Sequence, residues 1–263
     1  MTVELKPLLG TTLILVAHPD DEAIAFGALM QQMRRAVVVF ATDGAPRDER
    51  FWQQYGSRQA YAQVRRREAC ATLGLVGAEP VYLVDRVKGG VADQELFRNL
   101  PAAIEVCRQI VDDLRPEALS TLAYEGGHPD HDAICFIAST LAREAGLPVW
   151  EAPLYHRNQD GACVFQQFHR PAGGEVRLQV EGAVLENKTA MFRAYASQES
   201  VLDDFHAETE TVRPLAGYDF SRPPLPWKLN YEHWGWPMTG EAVAGEFRNY
   251  LEGHENDKNL VIG

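Results

Sequence analysis

LILVAHPDDEAIAFGALMQQMRRAVVVFA, residues 13–41, decides the fold. Its two ends, LILVA at 13–17 and AVVVFA at 36–41, are short continuous apolar runs rich in β-branched residues, the composition of strands buried on both faces. Between them, residues 22–35 space apolar Ile24, Leu29 and Met33 among small Ala and Gly, as in a helix packed on a sheet. Strand, helix and strand in this order make a β-α-β unit, which favours parallel strands and a right-handed crossover. The alternation continues with a helix at 57–73, a strand at 80–84, a helix at 94–113, a strand at 118–123, a helix at 132–145 and a strand at 149–154. This predicts an α/β fold, a Rossmann-like doubly wound, mostly parallel sheet over about 11–155. A C-terminal β and loop elaboration is expected over about 160–263. It holds an edge strand at 175–184, a helix near 187–197, and an ordered Pro-, Gly- and aromatic-rich loop at 213–240 that covers a surface or pocket.

The 263 residues, 46% of them hydrophobic, suffice for one substantial core, and one domain over 1–263 is expected. There is no run of eighteen apolar residues, and 1–10 lacks the features of a signal peptide, so a cytoplasmic protein without a membrane span is expected. Cys70, Cys107, Cys135 and Cys163 form no CxxC pair and sit in apolar stretches, which reads as reduced core residues. A formal net charge of −12 argues against a nucleic-acid partner, since that affinity depends on Lys and Arg neutralising phosphates. The one basic cluster, Arg65, Arg66 and Arg67, lies on the helix at 57–73, where it forms a solvated face with room for one arginine to turn inward.

In open parallel sheets, ligands bind outside the carboxyl ends of the strands. The polar clusters of this chain fall there: His18-Pro19-Asp20-Asp21-Glu22, Thr42-Asp43-Gly44, and Tyr124 through His131. Two of them are closely related, AHPDDEAIAFG at 17–27 and GGHPDHDA at 126–133, each after a strand and before a helix. Taken singly, an Asp before a helix reads as an N-cap. Two HPD sequences at equivalent strand ends are hard to obtain from capping. Imidazole and carboxylate together suit zinc, and three protein ligands leave a position open for water. The remaining His and Asp residues are what a general acid and base require. No GxGxxG or GxxxxGK[ST] follows the first strand, so a phosphate-cradling loop is excluded.

AHPDDE near the N-terminus, with HPDH a hundred-odd residues later, resembles the PIG-L/LmbE-like family of zinc-dependent N-acetylglucosaminyl deacetylases. The resemblance runs over 13–154 and on into KTAMFRAYASQ at 188–198. It implies one Zn²⁺ per chain, held by His18, Asp21 and His131. It makes Asp20 the general base, His128 the residue that steadies the tetrahedral intermediate or protonates the leaving amine, and Asp130 the carboxylate that orients or tunes His128. Arg65, in the frame Arg65-x-x-Glu68-Ala69, and Asp93, in the frame Gly90-x-x-Asp93-Gln94, match residues that hold sugar hydroxyls. The implied reaction removes an acyl group, acetyl foremost, from the amide nitrogen of a GlcNAc-type sugar or sugar conjugate. A metal-dependent amidase acting on a non-sugar amide, and a non-catalytic carbohydrate-binding protein that retains its metal, stay open as alternatives, as does a homo-oligomer. Trp227, Tyr231, Trp234 and Trp236 either stack on a sugar, line an acyl pocket, or simply pack. Asp130 beside His128 is expected to hold that imidazole protonated above the ~6.5 of a free one.

Overall fold

The apolar runs form strands in the computed structural model, which describes residues 5–260. β1 (Thr11–Val16), β2 (Arg35–Phe40), β3 (Glu79–Tyr82), β4 (Ala118–Leu122) and β5 (Val149–Ala152) are parallel neighbours, with Leu13 between Val37 on one side and Leu119 on the other. The hairpin of β6 (Tyr155–Arg157) and β7 (Cys163–Phe165) stands apart. The main sheet is extended by β9 (Thr209–Pro214) and β8 (Val176–Gln179), both joined antiparallel, and its order is β3-β2-β1-β4-β5-β9-β8. From β1 the chain winds outward through β2 and β3, then returns to lay β4 on the other side of β1. The switch point therefore lies between β1 and β4, the two strands whose loops carry the HPD sequences.

Helices cover both faces. All ten residues of α1 (Asp21–Met30) are buried, because it packs against both the sheet and α5 (Gly182–Ala194). α2 (Arg58–Val76) starts where the Ser57 side chain accepts the Ala60 N–H and stops at Gly77 in the left-handed region. α4 (Pro129–Ala145) stops the same way at Gly146. The helix expected at 94–113 starts later, as α3 (Leu100–Leu114), with Pro101 in its first turn and a 3-10 turn at Leu96–Arg98 before it. The preceding N–H groups of Gln94 and Leu96 are taken by the Asp130 carboxylate instead, at 2.6 and 2.9 Å.

The edge strand expected at 175–184 is the shorter β8. β9 and the helices α6 (Glu199–Leu202), α7 (Asn230–His233) and α8 (Gly240–Leu260) are additions to the expected elements, so 213–240 is not loop throughout. Cys107 and Cys135 are in the core as expected, but Cys163 is only half-buried and Cys70 is exposed; all four are free. Among the described residues no helix is long and apolar enough to cross a membrane.

Candidate active site

The loop after β1 is built around its carboxylates. Asp21 opens α1, and its Oδ2 accepts the backbone N–H of His18 at 2.8 Å and of Ala17 at 3.1 Å, folding the HPDD turn back onto the helix start. Asp20 sits at φ 123°, ψ −31°, a region that costs a residue with a side chain about 1–3 kcal/mol. Several contacts hold it there. Its N–H donates to Glu22 Oε2 at 3.1 Å, and its carbonyl accepts from Ala23 and Ile24. Arg65 pairs with its carboxylate at 3.1 Å and also donates to the carbonyls of Pro19 and Gly44. Glu22 is fully buried under the Tyr195 hydroxyl, 2.5 Å away, and burial pushes its carboxyl up to about 8.

The loop after β4 mirrors this arrangement. Asp132 Oδ1 accepts the Gly126 N–H at 3.0 Å, and His128 caps α4 with Nδ1 accepting the Asp130 N–H at 3.1 Å. His131 lies in the first turn of the same helix. Gly127 is required sterically: a Cβ there would stand 2.1 Å from the Tyr155 carbonyl oxygen.

The two loops bring their side chains together. His18 Nδ1 is 3.2 Å from His131 Nε2, which is 3.2 Å from Asp21 Oδ1; His18 Nδ1 lies 3.6 Å from Asp21 Oδ2. Donor atoms bonded at about 2.0–2.1 Å to one tetrahedral zinc stand about 3.3 Å apart, a spacing that His131 Nε2 keeps to both His18 Nδ1 and Asp21 Oδ1, while His18 Nδ1 approaches the other Asp21 oxygen. The other nitrogen of His18 faces Asp130 Oδ2 at 3.4 Å and Asp93 Oδ1 at 3.6 Å, the kind of carboxylate contact that orients a ligating imidazole. Among the described residues two sets of donor atoms gather within 4.8 Å of one another: those of His18, His128 and His131, and those of His18, Asp93, His128 and Asp130. The cluster is rich in buried negative charge. Burial by itself would lower His18, but the carboxylates of Asp93, Asp130 and Asp21 outweigh it and hold the imidazole well above its usual value. Burial would raise Asp21, and His131 with His18 brings it well below. A divalent cation satisfies the same excess of carboxylates.

A cavity of ≈ 140 Å³ lies over the cluster, with His18, Asp20, Asp21, Arg65, Asp93, His128 and His131 all in its wall. Asp130 is not in that wall, and it meets His128 through its backbone N–H at 3.1 Å more closely than through its carboxylate. Its carboxylate is spent on the Gln94 and Leu96 N–H groups and is nearer His18 than His128, from which it stands 3.9 Å. The carboxylate facing His128 is Asp93, with Oδ1 at 3.4 Å from Nε2. His128 accordingly sits below, not above, its usual value: burial and the charge of His18 outweigh both aspartates. A backbone N–H directed at Nδ1 also leaves no room for a second ring proton. Arg65 is the inward-turned member of its cluster, and its donors go to the Asp20 turn. Asp93 Oδ1 is buried without a hydrogen bond.

Of the aromatic candidates, Trp234 and Trp236 reach the cavity, Trp236 standing edge-on to His128 at 5.0 Å between centroids. Trp227 instead donates to the Arg157 carbonyl, and Tyr231 is buried beside Asp132. Tyr155, Phe205, Phe51 and Gln198 also line the cavity, and the sequence reading did not single them out. Only the HPD motifs advertise a site; an isolated Tyr after a strand does not. His156 faces Glu125 at 3.4 Å and does not line the cavity.

Comparison with known proteins supplies the relatives of this arrangement. Residues 13–142 match the family model PIG-L, GlcNAc-PI de-N-acetylase. The chain is 24% identical over 206 residues to a probable N-acetyl-alpha-D-glucosaminyl L-malate deacetylase 2 of Bacillus cereus, covering 74% of this chain and 87% of that one. It is 28% identical over 235 residues to a 1D-myo-inositol 2-acetamido-2-deoxy-alpha-D-glucopyranoside deacetylase of Corynebacterium glutamicum, covering 78% and 81%. A deacetylase of the teicoplanin biosynthesis pathway shares the fold with a TM-score of 0.61 at 20% identity, over 78% of this chain and 97% of that one. So does a 4-carboxy-2-hydroxymuconate hydratase from Pseudomonas putida, with a TM-score of 0.51 at 15% identity over 80% and 97%. The fold by itself therefore does not decide the reaction. The residues matched to the PIG-L model include both HPD motifs, and in them the chain is similar to the PIG-L/LmbE-like family.

Proposed function

We propose that this PIG-L/LmbE-like chain is a zinc-dependent N-deacetylase that hydrolyses the acetamido group of a GlcNAc-type sugar conjugate. The observation that carries the reading is the convergence of three side chains, His18, Asp21 and His131, whose nearest donor atoms stand 3.2–3.6 Å apart through both oxygens of Asp21, with a fourth side chain, Asp20, held beside them by Arg65. The names of the curated relatives, deacetylases of acetamido sugars, support the substrate class. Free thiols, one of them exposed, suit a reducing compartment such as the cytoplasm.

His18, Asp21 and His131 would hold the ion. Bound there, zinc supplies Lewis acidity, lowering the pKa of a water toward ~7 and polarising the acyl oxygen. Asp20 takes the proton of the attacking water. Burial pushes its carboxyl up to about 6 against the opposing charge of Arg65, a value suited to a base working near neutral pH. The strained backbone and the guanidinium hold that carboxylate in place. His128 carries its proton on Nε2, since Nδ1 accepts a backbone N–H, and so acts as a neutral donor to the developing oxyanion. The proton accepted by Asp20 then passes to the leaving nitrogen. His128 thereby becomes the oxyanion donor, and Asp20 serves as base and then acid.

The test combines metal analysis with acetate release from N-acetylglucosamine conjugates. Alanine at His18, Asp21 or His131 should abolish metal retention, whereas Asp20→Asn should retain metal and lose about 10²–10⁴ in rate. Full metal content in all three alanine variants, or normal turnover in Asp20→Asn, would remove the assignment.

A further inference from the structure

The cavity over the cluster, ≈ 140 Å³, is smaller than the ~300–1,000 Å³ usual for a small-molecule site. It adjoins an outer cleft of ≈ 700 Å³, and Phe51, Trp234 and Trp236 line both. Among the described residues three large apolar side chains are exposed: Phe51 at 42%, Trp234 at 46% and Leu75 at 49%. Single exposed apolar residues need no explanation. Two aromatics at one mouth, delivered by unrelated segments, are different. Phe51 closes the 3-10 turn Glu49–Phe51, and Trp234 follows α7.

Trp234 and Trp236 also belong to a closed circuit of rings around the cluster. Centroids run from His131 to Tyr155 at 5.4 Å, to Trp234 at 6.1 Å, to Trp236 at 4.9 Å, to His128 at 5.0 Å and back to His131 at 5.2 Å. Each rim arginine already has a carboxylate partner: Arg47 pairs with Glu95, and Arg50 with Asp48. The cleft thus offers ring faces and no unpaired rim arginine.

We propose that this cleft is a subsite for the part of the substrate beyond the acylated sugar, and that it takes an uncharged planar ring, an aryl aglycone, against Trp234 and Phe51. The inference rests on the deacetylase reading above and adds the chemistry of the distal group. An anionic conjugate would find no unpaired rim arginine to meet it, and a ring-on-ring contact uses the exposed faces that are present.

The experiment measures kcat/KM of the metal-loaded full chain on methyl and phenyl 2-acetamido-2-deoxyglucopyranosides and on N,N′-diacetylchitobiose. The phenyl compound should exceed the methyl one by roughly tenfold, the scale of one aromatic stacking contact. The ratio should fall toward unity in Phe51→Ala and in Trp234→Ala, and persist in Leu75→Ala, whose side chain lies on α2. A ratio near unity in the wild type, or one undiminished in both aromatic variants, overturns the proposal. Preference for the disaccharide over the phenyl compound overturns the aryl assignment. Should no compound be hydrolysed, the deacetylase reading fails separately. Calorimetric titration with the phenyl and methyl glycosides then decides the cleft alone: tighter phenyl binding that is lost in Trp234→Ala supports it, and equal affinities or no binding overturn it.

Discussion

Replacing Lys188 with Met should destabilise the protein by about 3–5 kcal/mol, because it strands a buried carboxylate. Lys188 Nζ lies 2.7 Å from Glu210 Oε1, and both side chains are fully buried. Lys188 also donates to the Ile24 carbonyl at 3.1 Å, while the Glu210 carboxylate accepts the N–H groups of Ala28 and Leu29. Ile24 C=O and Ala28 N–H are i→i−4 partners in a regular helix, so the pair is inserted against the ladder of α1, the helix that Asp21 opens. Methionine retains the length and apolar volume of the stem and removes only the charge. The loss is a large part of a domain's usual ~5–15 kcal/mol. At about 2–4 °C per kcal/mol for a chain of this size, it amounts to roughly 6–20 °C in Tm.

The pH dependence of that loss separates this mechanism from simple loss of packing. Burial raises the Glu210 carboxyl, and the Lys188 charge opposes the rise. Without Lys188 the carboxyl rises further, so the folded variant binds a proton more readily than the folded wild type. The variant therefore gains relative stability as pH falls, and its deficit should be larger at pH 8 than at pH 5. Urea unfolding at both pH values measures this. The double variant Lys188→Met/Glu210→Gln should recover part of the loss, since it removes the stranded charge and the glutamine oxygen still accepts one of the two helix N–H groups. A deficit under about 1 kcal/mol at pH 8, one that does not vary with pH, or a double variant no better than the single one would refute the reasoning.

Two further outcomes concern the reaction. Asp20 must be ionised to act as base, so activity should be present above about pH 6 and fall as pH drops through it; a bound cation moves this limb lower, and Arg65→Met, which removes the opposing charge, moves it higher. An acid limb unmoved by Arg65→Met in the pH–rate profile would separate Arg65 from the base. His128→Ala should cost about 10²–10³ in kcat, the scale of one lost oxyanion donor, while His128→Gln, which keeps a neutral N–H, should retain more activity with the same pH profile. Equal losses in the two variants, or a pH limb that disappears in His128→Gln, would restore a proton-delivery role to that histidine.

The sheet was legible because β1 and β2 hold continuous apolar runs and strands alternate with helices as far as β5, and a doubly wound sheet then fixes where the HPD loops must meet. The meeting of His18, Asp21 and His131 was legible for the same reason. What those side chains bond to was not. Asp130 follows His128 by two residues, and the family resemblance assigned its carboxylate to that histidine. The carboxylate instead turns to the N–H groups of Gln94 and Leu96, which another loop brings in. Asp93 takes its place opposite His128 from that same loop. Likewise nothing in the letter D at position 20 announces φ 123°, because the conformation is imposed by Glu22, Arg65 and the helix start acting together.

β9 shows the general form of the omission. Residues 209–214 read TETVRP, which looks like solvent-facing sequence, yet Glu210 and Arg213 are buried within the sheet. Their charges are met by Lys188 from α5 and Glu151 from β5, at 2.7 and 2.6 Å, and by hydrogen bonds to the backbone. A pattern of apolar and polar letters treats each charge as a marker of surface, whereas a buried pair becomes recognisable only when both partners are placed. Lys188 lies in the KTAMFRAYASQ stretch, so the family resemblance of that helix included a residue that ties α5 to α1 beneath the HPDD loop. The same limit applies at the mouth of the site: the aromatic content of 213–240 marked it for function, but only packing separated Trp234 and Trp236, which face the cluster, from Trp227 and Tyr231, which hold the loop together.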